Sequence, residues 1–243
     1  MRIIKLNATD STNDYLKDLA SKQNLANYTV ISTQNQLKGR GQMGFNWYSE
    51  PGKNLTFSLL LFNILENVDA IYTLNIAVTL AILDVLKKEN IPELKIKWPN
   101  DIMSANKKVG GILIENTIKK NNQIQSIIGI GLNVNQQNYV GLPQASSLCL
   151  STGQFYDCDE LLTKIVNQLK LNVLLIEENR GIVLWEKYHQ LLYKKDVPSA
   201  FENKDGSKFM GIIKKVRSNG QLEVMMEDDS LHYYTIKELK MLY

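Results

Sequence analysis

An ammonium and a carboxylate lie close together in Lys97-Trp98-Pro99-Asn100-Asp101 and the following Lys107-Lys108-Val109-Gly110-Gly111-Ile112-Leu113. Leu94 to Lys97 reads as a strand. Pro99 cannot donate to a ladder, so the strand should stop there. Asn100 and Asp101 then fall on a turn, Ser104-Ala105-Asn106 makes a second turn, and Lys108 to Ile114 reads as the return strand. That hairpin sets the Asp101 carboxylate and the Lys108 ammonium at the same end of a sheet. Two glycines inside an apolar strand cost stability and make sense where a ligand lies against the backbone. The same residues also fit a surface hairpin with one ion pair and a bulge at Gly110-Gly111.

A second stretch, Gly39-Arg40-Gly41-Gln42-Met43-Gly44-Phe45-Asn46-Trp47, is rich in glycine around an arginine. It describes a mobile loop whose amides can approach an anion, or, taken alone, a flexible linker. It is not a Walker loop, because Phe45 stands where the lysine belongs. Earlier, Ser11 is a natural helix N-cap with Asp14 three residues on. Leu16, Leu19 and Ala20 share the face of that helix. Capping alone accounts for Ser11, and the same geometry presents polar groups to a ligand.

These residues need elements to hold them. Ile3 to Leu6 and the β-branched Tyr28 to Ser32 read as strands, and Asn54 to Phe62 as a buried strand. From Asp69 to Glu89 the apolar period is helical, with Leu74, Val78, Ala81 and Val85 on one face and Lys87-Lys88 at the C-terminal end. Ile124 to Val134 is another buried strand. Its Gly129-x-Gly131 lacks the third glycine and the helix of a dinucleotide fingerprint, so a Rossmann reading is rejected. Pro143 to Leu148 is loop-like. Asp159 or a neighbour caps a helix carrying Leu161, Leu162, Ile165, Val166 and Leu169, and a further helix spans roughly Ile182 to Leu192. After Lys194 the pattern changes to short strands, Lys208 to Val216, Gln221 to Met226 and Leu231 to Ile236, with a hairpin turn at Ser218-Asn219-Gly220. This suggests a small barrel and a boundary between residues 193 and 194.

Composition narrows the classes. With 28 basic and 25 acidic side chains the net charge is +3, too balanced to imply a nucleic-acid or membrane partner. Cys149 and Cys158 form no Cys-x-x-Cys, and His189 and His232 are isolated, so no metal site is expected. No apolar run reaches the ~18 residues of a membrane span, and no signal-peptide core is present, which fits a cytoplasmic protein.

Four segments in order resemble the signature of the biotin protein ligases (biotin–acetyl-CoA-carboxylase ligases). They are Ser11-Thr12-Asn13; Gly39-Arg40-Gly41 with Trp47; Lys97 to Asp101 with Lys108 to Leu113; and Gly129-Ile130-Gly131-Leu132-Asn133-Val134-Asn135. The resemblance implies an α+β fold: a mixed β-sheet backed by helices, related to class II aminoacyl-tRNA synthetases, in residues 1–193, and a small SH3-like β-barrel in 194–243. It implies a ligase that makes biotinyl-5′-adenylate from biotin, ATP and Mg²⁺. The biotin then passes to a lysine of the biotin carboxyl carrier protein of acetyl-CoA carboxylase.

By the same resemblance Lys108, Arg40 and Asp101 are the catalytic residues. Ser11, Thr12, Asn13, Gln36, Gly39, Arg40, Gly41, Gln42, Lys108, Gly111 and Leu113 bind biotin. Trp47, Asn100 and Asn133 lie at the nucleotide, with Asn100 and Asp101 serving the phosphates, Mg²⁺ or the incoming lysine. The family usually carries arginine where this chain has Gln42, and often where it has Phe45, so this loop is less basic than expected. The signature begins by Ser11, which is expected to leave no room for the DNA-binding domain of some family members. Homodimers occur in the family. The competing readings are a lipoate–protein ligase, which shares the fold, and a non-catalytic biotin-binding regulator.

Overall fold

The computed structural model describes residues 1–65, 70–119 and 123–242; of Met43 it describes the backbone. In chain order the elements are β1 (Arg2–Thr9), α1 (Thr12–Lys22), β2 (Thr29–Gln36), β3 (Leu55–Phe62), α2 (Ile71–Lys88), β4 (Leu94–Lys97), β5 (Asp101–Ser104), β6 (Lys107–Ile118) and β7 (Ile124–Leu132). There follow α3 (Leu148–Thr152), α4 (Cys158–Glu177), α5 (Ile182–Leu191), β8 (Pro198–Asn203), β9 (Lys208–Val216), β10 (Leu222–Met225), β11 (Leu231–Tyr234) and β12 (Leu239–Met241). The expected helix start at Asp69 lies outside the described residues.

Among the described residues, the first seven strands form one sheet in the order β1-β2-β3-β7-β6-β5-β4. Only β1 and β2 run parallel, so the sheet is mixed. Residues alternate between its faces along each strand. Leu55, Phe57, Leu59 and Leu61 of β3, with Ile128, Ile130 and Leu132 of β7, join the main core, together with Leu74, Val78, Ala81 and Val85 of α2 and the inner residues of α4. α2 is buried on most of its circumference, which its nearly continuous apolar sequence allows. The opposite face is covered in part by α1, whose Leu16 packs on Ile31, Leu60 and Ile127. Beyond α1 that face carries Thr56, Ser58, Gly129, Gly131 and Gly111, side chains too small to make a core.

Asp101 does not sit on a turn as expected. It opens a strand of its own, β5, so the chain returns through two hairpins. Of Asp159 and its neighbours, the cap of α4 is Asp157: its carboxylate accepts from the backbone N–H of Asp159 and Glu160. Leu148, read as loop, begins the short helix α3, capped by Ser147.

The last five strands form a separate antiparallel sheet, β11-β10-β9-β8-β12, as expected for a small barrel. β8 and β12 gave no clear sequence signal, being short and carrying Pro198, Glu202 and Lys240. The two sheets are joined by Trp98, whose buried indole N–H donates to the Gly220 carbonyl at 3.0 Å. Tyr72 fills the space that the missing Gly220 side chain leaves.

Candidate active site

Strand register builds the floor of the site. Thr33, Thr56, Gly131, Gly111, Asp101 and Lys97 are successive partners across five neighbouring pairings of the first sheet. Ile31, Ser58, Gly129 and Leu113 form the next row. The glycines in these rows are spaces for other side chains. A Cβ on Gly131 would stand 2.5 Å from the Trp47 indole, and one on Gly129 would stand 2.5 Å from the Asn13 Oδ1.

Lys108 reaches this floor because of a bulge. Ile102 pairs with Gly110 but Met103 pairs with Lys108, so Val109 is extra on β6. Strict alternation would put Lys108 and Gly111 on opposite faces; the bulge puts both on the site face and sends Val109 into the core. There the Lys108 ammonium lies 2.5 Å from the Asp101 carboxylate. The two expectations for Gly110-Gly111 therefore divide between the residues. Gly111 lines the cavity. A Cβ on Gly110 would meet the Gly131 carbonyl, the Leu132 side chain and the Ile102 Cβ at 3.0–3.5 Å, so that glycine serves packing within the sheet.

Around the floor lies a cavity of about 490 Å³. Its walls are the start of α1, the loop between β2 and β3, the β4–β5 turn, and the second sheet through residues that include Lys237 and Lys240. Of the expected biotin and nucleotide residues, Ser11, Thr12, Asn13, Gln36, Arg40, Gly41, Gln42, Trp47, Asn100, Asp101, Lys108, Gly111 and Leu113 line it. Gly39 and Asn133 are not in its wall. A Cβ on Gly39 would strike the Trp47 carbonyl at 2.5 Å, and the buried Asn133 donates through Nδ2 to the Ser146 carbonyl at 2.9 Å.

The glycine-rich loop is folded on itself. Arg40 bridges Asn46, Gln42–Gly44 form a 3-10 turn, and the Gly41 amide, expected to be open to an anion, donates to the Phe45 carbonyl at 2.6 Å. Arg40 lies 2.5 Å from the Asp14 carboxylate. In this part Gln42 Oε1 and Trp47 Nε1 are buried with no partner among the described residues. Burial lowers the pKa of Lys97; the Asp101 carboxylate opposes this, while the Lys108 and Lys240 charges add to it. Arg40, Lys97, Lys108, Lys204, Lys237 and Lys240 outnumber Asp101, Glu202 and Glu238 in the cavity wall, an excess that favours an anionic ligand.

The other end of the cavity is neutral. The Thr12 N–H donates to Gln36 Oε1 at 2.9 Å, and the Ser58 hydroxyl lies 2.6 Å from Asn13 Oδ1 and 2.7 Å from Thr12 Oγ1. The Ser11 hydroxyl accepts from the Asp14 N–H, so its cap and its place in the wall coexist. The fully buried Ser58 was not singled out from sequence, since a serine in an apolar strand carries no signal of its own.

The fold is similar to that of a biotin protein ligase from Aquifex aeolicus solved in complex with biotin and ATP: TM-score 0.81 and 26% identity over 99% of this chain and 98% of that one. The fold is thus that of the biotin protein ligases. Residues 6–133 match the model of the biotin/lipoate A/B protein ligase family, and the chain belongs to that family. Among named relatives, the bifunctional ligase/repressor BirA of Salmonella typhimurium is 29% identical over 70% of this chain and 52% of its own length. The biotin–[acetyl-CoA-carboxylase] ligase of Mycobacterium tuberculosis is 29% identical over 68% of this chain and 62% of its own length. The chain spans about half the length of the Salmonella relative.

Proposed function

We propose that this protein uses ATP to form biotinyl-5′-adenylate and transfers the biotinyl group to a lysine of the biotin carboxyl carrier protein of acetyl-CoA carboxylase. The observation that carries the reading is the bulge-directed Lys108, paired with Asp101 where the neutral end of the cavity meets its cationic end. In the first step a biotin carboxylate oxygen attacks the α-phosphorus, the bond to the bridging oxygen breaks, and pyrophosphate leaves. Two anions must approach, and the Lys108 ammonium offsets their repulsion and the charge that grows on the phosphoryl oxygens. Asp101 holds that ammonium in place. In the second step the carrier lysine attacks the acyl carbon, AMP departs, and the amine releases a proton.

Arg40 serves the carboxylate or phosphate as a planar fork once it leaves the half-exposed Asp14. Mg²⁺ would arrive on the nucleotide phosphates, where it neutralises charge. The Asp101 carboxylate and the Asn100 side-chain Oδ1 fit a hard cation that keeps few protein ligands. Asn100 spends its Nδ2 on the Ile112 carbonyl at 2.6 Å, which leaves that oxygen as its acceptor. Trp47 lies across Gly131 and Gly111, a flat apolar cover for the ligand. The polar inner end favours a ureido head group over the apolar dithiolane of lipoate. The test is pyrophosphate release with biotin, with lipoate and with neither, followed by transfer to purified carrier domain. Release with lipoate alone would turn the assignment to a lipoate ligase, and binding of biotin without release would turn it to a regulator.

A further inference from the structure

The inner end of the cavity is held from behind by two charged residues that the functional reading does not use. Asn13 and Lys17 stand one turn apart on α1, so both side chains reach the same point over the sheet. That point is the Glu115 carboxylate on β6, two residues past Leu113 on the same face. Asn13 Nδ2 donates to Glu115 Oε2 at 2.6 Å, and Lys17 Nζ to Glu115 Oε1 at 2.5 Å. Asn13 Nδ2 also faces the Leu113 carbonyl at 3.4 Å.

The consequence is a matter of proton count. An ionised carboxylate only accepts, so it fixes which end of the Asn13 amide faces it. Both amide hydrogens then have acceptors within the protein. The one Ser58 hydroxyl proton has two acceptors, Asn13 Oδ1 at 2.6 Å and Thr12 Oγ1 at 2.7 Å, and with the proton on Asn13 its Oδ1 still retains one lone pair. Asn13, a residue of the cavity wall, can therefore offer a ligand an acceptor and never a donor.

We infer that Glu115, anchored by Lys17, is a positioning residue: it locks the Asn13 amide so that the inner end of the cavity selects a head group bearing an N–H donor. This rests on the reading of the cavity as a biotin site. The ureido ring of biotin has such donors, and the dithiolane of lipoate has none.

The test is Glu115→Gln, measured by calorimetric titration with biotin and by KM for ATP, with thermal melting as the check on folding. A carboxamide brings its own hydrogens toward Asn13 or Lys17, and the lock is lost. The expected result is about tenfold weaker biotin binding with KM for ATP unchanged. In an Asn13→Ala background the same Glu115→Gln change should alter biotin binding less than twofold, because its route to the ligand is gone. Equal losses in both backgrounds, or unchanged binding by folded Glu115→Gln, would overturn the inference. If Glu115→Gln does not fold, Lys17→Met at its half-open helix position carries the test, with a two- to threefold loss expected and no loss counting against it. Wild-type protein that takes no biotin sinks the functional reading, and this inference with it; wild-type protein that binds while Glu115→Gln binds equally sinks the inference alone.

Discussion

The two ends of the cavity are built on opposite principles. At the inner end, Thr12, Asn13, Gln36 and Ser58 are neutral and hydrogen-bonded to one another. At the outer end the polar groups are mostly ionic, and Gln42 Oε1 and Trp47 Nε1 are buried without partners among the described residues. A buried polar atom left unpaired costs about 1–3 kcal/mol. The inner end is thus finished before any ligand arrives and can discriminate by shape and hydrogen-bond direction. The outer end holds unspent polarity and charge that a phosphate can satisfy. Substitutions at the outer end should therefore fall on the chemical step and on retention of the intermediate, and those at the inner end on binding of the head group.

Lys108→Ala should break this division most sharply. Removing a positioned cation from developing phosphoryl charge costs roughly 3–4 kcal/mol, or about 100–1000-fold in rate. Asp101 loses its partner but is accessible enough to be solvated, so the fold should survive. Biotin-dependent pyrophosphate release should collapse while biotin still binds. Near-normal release by folded Lys108→Ala would remove Lys108 from the mechanism.

Gly131→Ala probes the boundary between the two ends. Its Cβ would stand 2.5 Å from the Trp47 indole, which must move. A displacement of about 1 Å can cost on the order of 100-fold in a positioned reaction, and the loop allows some relief, so a loss of about 10- to 100-fold in adenylate formation is expected. Gly110→Ala, against the core, should instead lower stability. Equal effects of both on thermal melting, with no separate effect on activity, would show that Gly131 serves packing alone.

The join between the sheets gives a smaller effect. Trp98→Phe removes the indole donor and leaves the Gly220 carbonyl unpaired in a buried position, which should cost about 1–3 kcal/mol in urea unfolding. Tyr193 is tied to Ile96 of the first sheet and Asp196 to Ile213 of the second. Truncation after Tyr193 should impair activity, because Lys237 and Lys240 leave the cavity wall with the second sheet. A fully active truncated protein would show that this wall is dispensable.

The legible parts of the sequence were those where local chemistry and tertiary structure agree. The cap at Ser11, the buried period of α2 and the strand after Glu93 all stand where the pattern puts them. Lys108 and Asp101 were visible as a pair, but the bulge that joins them was not, since an extra residue in a strand shows only in the partner's register. Ser58 and Glu115 were silent for another reason. Each acts through side chains distant in sequence, Ser58 through Thr12 and Asn13, Glu115 through Asn13 and Lys17. β8 and β12 escaped notice because short strands of a small sheet alternate too few residues to set a period.

Gln42→Arg is the finest probe of the outer end. Family resemblance leads to an arginine at this position, and the glutamine here leaves Oε1 buried and unpartnered. A cation about 4 Å from the single phosphate charge of an acyl-adenylate is worth about 1 kcal/mol in water and about 4 kcal/mol at an effective dielectric of 20. The low figure is about fivefold in retention, the high one several hundred-fold. Lys38 and Arg40 lie nearby and are paired with Asp10 and Asp14. Both pairs are solvent-exposed, where ion pairs contribute little, so a bound phosphate can draw either cation away. That compensation puts the expectation at the low end. Gln42→Arg should slow dissociation of biotinyl-adenylate about fivefold at equal salt, and less at high salt as the charges are screened. Wild-type protein should correspondingly label its own exposed lysines faster than the arginine variant, since released adenylate acylates amines without selection. If the variant lets the intermediate go no more slowly, the phosphate is held elsewhere on the loop, and Arg40 released from Asp14 is the group to replace next.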